Sequence, residues 1–73
     1  MTRRDAERWL LNHGFVEAPG GKTSHRQFHR GAVKITLPGH GGQDLSKKHT
    51  GMIVRQLGRA GFPREIVRKE WAL

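Results

Sequence analysis

The chain is predicted to be an α+β protein: a three-stranded antiparallel sheet with helices on one face, in the order α-β-β-β-α with a short helix at the C-terminus. Three observations predict it. Near both ends, apolar residues recur at three- and four-residue spacing, as on one face of a helix. In the middle, apolar and polar residues alternate with the period of two that a half-buried strand requires. Glycine and proline clusters separate these stretches.

The first helix is expected over Arg3 to His13. Thr2 caps it, and Asp5, three residues later, serves as a short version of the capping-box acid. Ala6, Trp9, Leu10 and His13 form the apolar face, and Gly14 is placed to terminate the helix in a left-handed conformation. Trp9 is read as core, with a base-stacking role as the alternative. Phe15 to Ala18 alternates enough for a short strand before Pro19, Gly20 and Gly21 break the chain. Thr23 to Arg30 suits a second strand anchored by Phe28. Period two then puts Ser24 and Arg26 on the Phe28 side and His25, Gln27 and His29 on the solvent side.

Gly31 marks a tight turn, with Arg30 in a hairpin loop of two or three residues, into a third strand, Ala32 to Leu37, whose Val33, Ile35 and Leu37 share the buried face. Antiparallel pairing would present His25, Gln27, His29, Lys34 and Thr36 together on one polar surface. Pro38 closes the strand because it has no N–H for the ladder, and Gly39 to Gly42 form a loop. The second helix is expected from a Ser46 cap to Ala60, ended by Gly61, with Leu45, Ile53, Leu57 and Ala60 as its apolar stripe and Val54 and Met52 at its edges. Gly58 inside it is unfavourable by ~1 kcal/mol relative to alanine, which suggests close backbone packing there. Pro63 suits the first turn of a last helix with Ile66, Val67 and Trp71 facing inward.

A chain of 73 residues is read as one domain, 1–73, with a thin margin of stability and no room for a large cofactor pocket. It has no cysteine, which excludes disulfides and thiolate metal sites and fits a cytoplasmic location. No apolar run approaches the ~20 residues that span a bilayer, so no membrane role is expected. Fourteen Lys and Arg against six Asp and Glu give +8, unevenly spread: residues 1–19 sum to zero, residues 20–50 to +5 and residues 51–73 to +3. Such asymmetry points to a polyanionic partner, nucleic acid foremost, with an acidic protein or a merely solvated surface as the alternatives.

The residues best suited to chemistry lie in G-G-K-T-S-H-R-Q-F-H, Gly20 to His29. RNA cleavage without a metal needs a base for the 2′-hydroxyl proton, an acid for the leaving oxygen, and positive charge around the phosphorane. Histidine serves either proton role near neutral pH, since its ordinary pKa is ~6.5. His25 is the candidate, and Lys22, Arg26 and Lys34 are candidates for the positive field. Ser24 and Thr23 either bond a phosphate oxygen or satisfy the strand entry. On residue types alone, His25 as catalyst stands beside His25 as phosphate ligand or exposed side chain. No carboxylate or cysteine completes a metal set around His25, His29 and His40, so neither metal nor cofactor is expected. The Gly39–Gly42 loop with Ser46, Lys47 and Lys48 either cradles a phosphate or is an ordinary loop and cap. Arg55, Arg59, Arg64, Arg68 and Lys69 read as a solvated face.

The order "KTSHRQF", then "VKITLPGHGGQDLSKKHTGMIVRQLGRAGF", resembles the HicA family of toxins from bacterial and archaeal toxin–antitoxin pairs, as does the opening "WLLNHGFVE". The resemblance covers roughly residues 3 to 62. Its most specific part is Ser24-His25 with Phe28 three residues on, a strand ending in Pro38, a glycine-bearing loop, and Leu45 before the second helix. The family motif commonly reads Gly-Ser-His, whereas Thr23 stands before Ser24 here. The resemblance implies a fold like the double-stranded-RNA-binding domain and a metal-independent endoribonuclease that cleaves messenger RNA during translation arrest. It implies that His25 is the catalytic residue and that the partner is a HicB-like antitoxin. A non-catalytic RNA-binding module of the same fold is the alternative function.

Overall fold

The computed structural model describes residues 1–19, 25–39 and 41–73. Six elements follow in chain order: α1 (Arg3–Asn12), β1 (Val16–Glu17), β2 (Arg26–Arg30), β3 (Val33–Leu37), α2 (Lys47–Arg59) and α3 (Arg64–Glu70). This is the predicted α+β order, helix, three antiparallel strands and two helices, and it matches the α-β-β-β-α arrangement of the double-stranded-RNA-binding domain. No helix among the described residues is long and apolar enough to cross a membrane.

α1 starts with the predicted capping box. The Thr2 hydroxyl accepts from the Asp5 amide at 3.2 Å, and the Asp5 carboxylate accepts from the Thr2 amide at 3.3 Å. That pairing satisfies two backbone groups that the helix cannot satisfy internally. The helix ends at Asn12, one residue earlier than expected. His13 becomes its C-cap and donates from Nδ1 to the Trp9 carbonyl at 2.7 Å, and Gly14 follows with φ +86°. A carbonyl only accepts, so Nδ1 carries the proton here.

The sheet order is β1-β2-β3, antiparallel throughout. β1 is cut to two residues, although the Ala18 amide still donates to the Gln27 carbonyl at 2.8 Å. β2 begins at Arg26, and the part of the expected strand at Thr23 and Ser24 lies outside the described residues. Arg30 pairs with Val33 and so belongs to β2 rather than to the loop, which is Gly31 and Ala32, and β3 starts one residue later than predicted. Gly31 has φ +59° at the first loop position, the conformation that a II′ hairpin turn asks of glycine.

Phe28, Ile35 and Leu37 point into one core with Ala6, Leu10, Phe15, Ile53, Val54, Leu57, Val67 and Trp71. Each fully buried large side chain of this kind contributes about 1.5–3 kcal/mol. Trp9 belongs to the margin of that core, half-buried, stacked on His13 at 3.8 Å and edge-on to Phe62 and Trp71 at 5.3 and 5.6 Å. α2 has its predicted cap, Ser46 accepting from the His49 amide at 3.1 Å.

Two expectations for the helices fail. Gly58 is exposed, and a Cβ built on it would meet nothing within 4 Å, so no close packing explains it. Ile66 is 54% exposed, because Val67 and Trp71, four residues apart, take the inward stripe of a seven-residue helix and leave Ile66 about 100° away. Leu45 packs against the core from just before α2, and Met52, read as an edge of the stripe, is exposed at 45%.

The segment after β3 is fastened to the start of α1. The Arg3 amide donates to the Gln43 carbonyl and the Arg4 amide to the Gly41 carbonyl, both at 2.9 Å, while the Leu45 amide donates to the Met1 carbonyl at 2.9 Å. The Arg3 guanidinium, 8% exposed as a residue, donates to the Gly39 carbonyl and pairs with Glu7 at 3.2 Å. This places the end of β3, the loop after it and the start of both long helices together.

Candidate nucleic-acid interface and its histidine

Cross-strand register sets the open face of the sheet. Gln27 is opposite Thr36 and His29 opposite Lys34, and all four are exposed on the side away from the helices. Val16, opposite His29 on β1, joins them. Among the described residues of the three strands, this face carries no carboxylate. The one acidic strand residue, Glu17, pairs with Phe28 and so faces the helix layer.

His25 stands immediately before β2 and is exposed. Its neighbour Arg26 is opposite Leu37, on the helix side, as period two predicts. The Arg26 guanidinium lies 3.8 Å from Glu7 on α1 and 3.7 Å from Glu17 on β1. Half of the Arg26 side chain is exposed, and pairs of that kind are worth about 0–1 kcal/mol. Arg26 is therefore held loosely, with both a structural and an exposed aspect.

Lys34 shares the open face, but it is opposite His29 and not His25. Four residues of strand separate those histidines, or about 13 Å at ~3.3 Å per residue. Lys34 and His25 thus lie along one face without converging on one atom. Lys22, Ser24 and Thr23, the remaining candidates near His25, and His40 in the glycine loop lie outside the described residues.

The loop-and-cap phosphate cradle fares differently. The carbonyls of Gly41 and Gln43 are turned to α1, Ser46 caps its own helix, and the small cavity there includes the Asp44 residue. Among the described residues no group of three His, Cys, Asp or Glu side chains is placed to hold a metal ion.

Sequence reasoning did not foresee Glu7 as a partner of both Arg3 and Arg26, because it lies in a helix nine residues before β1 and pairs with a strand beyond it. It also missed Arg30, whose guanidinium donates to the Ala60 carbonyl at 3.1 Å and lies 5.0 Å from the centre of the Phe62 ring. No pattern in the sequence announces either contact.

No curated protein and no solved structure matches the chain. The family model described as the HicA toxin of bacterial toxin–antitoxin systems matches residues 3–59, most of the chain, from α1 to the end of α2, with His25 inside the match. The chain belongs to the HicA toxin family.

Proposed function

We propose that this HicA toxin is a metal-independent endoribonuclease that cleaves messenger RNA and so arrests translation in the cytoplasm, with His25 as its acid–base residue. The observation that carries this reading is an exposed histidine at the entrance of β2, beside a carboxylate-free polar sheet face, in a chain of this family.

In the proposed step, a base removes the 2′-hydroxyl proton and that oxygen attacks the adjacent phosphorus. The P–O5′ bond breaks as an acid protonates the leaving 5′-oxygen, giving a 2′,3′-cyclic phosphate and a free 5′-hydroxyl. His25 takes one of the two proton roles. Lys22 and Arg26 stabilise the phosphorane, and Ser24 orients the phosphate. Arg26 can turn to phosphate at little cost, since its carboxylate partners hold it weakly. Lys34, about 13 Å along the face, binds a phosphate further down the strand. A HicB-like antitoxin is the proposed protein partner, and covering this face is how it would inhibit.

The test is inducible expression of wild type and His25→Ala, with growth and transcript integrity followed together. Wild type is expected to stop growth and fragment transcripts, while a folded His25→Ala variant does neither. Equal effects from both proteins would remove His25 from catalysis and favour a non-catalytic RNA-binding module.

A further inference from the structure

A cluster of cations lies away from the sheet, between α2 and α3. A groove of about 450 Å³ there is lined by Lys47, Lys48, Arg55, Arg64 and Arg68. No Asp or Glu lines it. None of the five cations forms an ion pair among the described residues, where the ion-paired cations are the Met1 amine, Arg3 and Arg26. Five like charges so close together repel one another, so the groove stores electrostatic energy that a polyanion would release.

The α2 wall also leaves its backbone bare. Gly51 and Gly58, one heptad apart on the groove side, both have open space where a Cβ would stand. A glycine in a helix interior costs ~1 kcal/mol relative to alanine, and no packing against the rest of the fold accounts for either. The α2 wall lies within the family-matched residues 3–59, and the α3 wall, Arg64 and Arg68, lies beyond them.

We infer that this groove binds the phosphodiester backbone of a single RNA strand, as a second contact site for the substrate outside the His25 region. The inference rests on the ribonuclease reading above. Two observations favour a nucleic-acid strand over an acidic helix. An amphipathic helix in a groove anchors by several apolar side chains, whereas Met52 is the one exposed apolar side chain among the lining residues, Val54 being 3% exposed. A phosphate chain needs only spaced cations and room to approach the backbone, and the glycines give that room.

The groove is also placed for a strand that continues from His25. Pro38 at the end of β3 and Ser46 at the start of α2 line one cavity. Arg26, next to His25, pairs with Leu37 at that same end. Lys47 and Lys48 therefore begin the groove at the end of the domain where His25 lies.

The experiment uses the full chain carrying His25→Ala, so that RNA is bound but not cut. A labelled single-stranded RNA longer than the ~4–16 nucleotides of common single-strand sites is titrated by fluorescence anisotropy over a range of salt. The set Arg55→Gln, Arg64→Gln and Arg68→Gln is compared with the set Arg4→Gln, Arg8→Gln and Lys69→Gln, which removes equal charge elsewhere. The groove set is expected to weaken binding by roughly tenfold or more and to flatten the slope of log affinity against log salt by about 2, three phosphate contacts at ~0.7 each.

Equal losses from the two sets, in a wild type that cuts RNA, overturn the groove and leave the ribonuclease reading standing. A wild type that neither binds nor cuts RNA overturns both. If a poly-glutamate peptide binds wild type and not the groove set while RNA affinity is unchanged between sets, the groove belongs to an acidic protein and the inference fails.

Discussion

Two populations of cations divide the surface of this protein, and they differ in what holds them. Arg3, Arg26 and Arg30 are engaged: Arg3 with Glu7 and the Gly39 carbonyl, Arg26 with Glu7 and Glu17, Arg30 with the Ala60 carbonyl and the Phe62 ring. Lys47, Lys48, Arg55, Arg64 and Arg68 line a groove with no acid in it. The formal +8 is thus not one quantity. Part of it is mortar between α1, the sheet and the end of α2, and another part forms no ion pair among the described residues. A count of lysines and arginines cannot separate the two, because the difference lies in the partners.

The strongest way to test that division is Arg3→Ala. Arg3 and Glu7 are largely buried, with side chains 9% and 15% exposed, so removing Arg3 leaves Glu7 with only the longer 3.8 Å pair to Arg26 and takes a donor from the Gly39 carbonyl. A loss of about 2–4 kcal/mol is expected, measured by urea denaturation, a large share of the stability of so small a domain. A loss below ~0.5 kcal/mol would make Arg3 an ordinary surface cation.

Arg30→Ala comes next. It removes a hydrogen bond to the C-cap of α2 and a cation–ring contact, at about 1–2 kcal/mol together. The expected fall in melting temperature is ~4–8 °C for each kcal/mol in a domain of this size. An unchanged melting temperature would break the assignment.

The acidic side offers a smaller version of the same contrast. Hydrogen bonds from the Thr2 hydroxyl and the Thr2 amide hold the Asp5 carboxyl below its ordinary pKa of 3.8. A carboxyl whose pKa is lowered by folding adds stability above its unfolded pKa, and that stability is lost as pH falls through the folded value. Thermal melts of wild type and Asp5→Asn are therefore expected to differ near neutral pH and to converge below pH 3.8. A gap that persists into strong acid would show that charge at Asp5 is not what matters.

The smallest stability change is expected from Arg55→Gln, Arg64→Gln and Arg68→Gln combined. With no partner to lose and mutual repulsion relieved, the melting temperature should hold or rise slightly, within ~0.5 kcal/mol. A marked fall would mean these arginines belong with the engaged population.

Elements whose cause is local were legible in the sequence. The capping box at Thr2 and Asp5, the Ser46 cap, the hairpin at Gly31 and the facing of β2 and β3 all follow from residues within a few positions of one another. The register then places Gln27, His29, Lys34 and Thr36 on one face as alternation requires. Features that depend on distant partners were not legible. Nothing near Arg3 in the sequence announces the loop after β3 that arrives beside it. Gly58 reads as a packing glycine because nothing local reveals that its side of α2 faces an open groove. Phe62 follows Gly61 in what reads as a connector, yet it meets the Trp9, His13 and Phe15 rings. For the site, His25 and Lys34 could be placed relative to the strands, while the partnership of Arg26 with Glu7 and Glu17 could not.

The fastening of residues 41–45 to the start of α1 governs when the scaffold is finished as well as how. A chain emerging from the ribosome releases α1 and His25 well before Gly41 and Gln43 follow. Until then the first amides of α1 must be satisfied by water. The β2–β3 hairpin closes over a few residues, whereas the α1–loop junction must close about 40, the slower and entropically costlier event. A growing chain therefore holds α1 and the strands before the junction that joins α1 to the loop after β3 can close. The order of closure thus runs from the hairpin outward, and the buried Arg3 finds its loop partners only after the hairpin has closed.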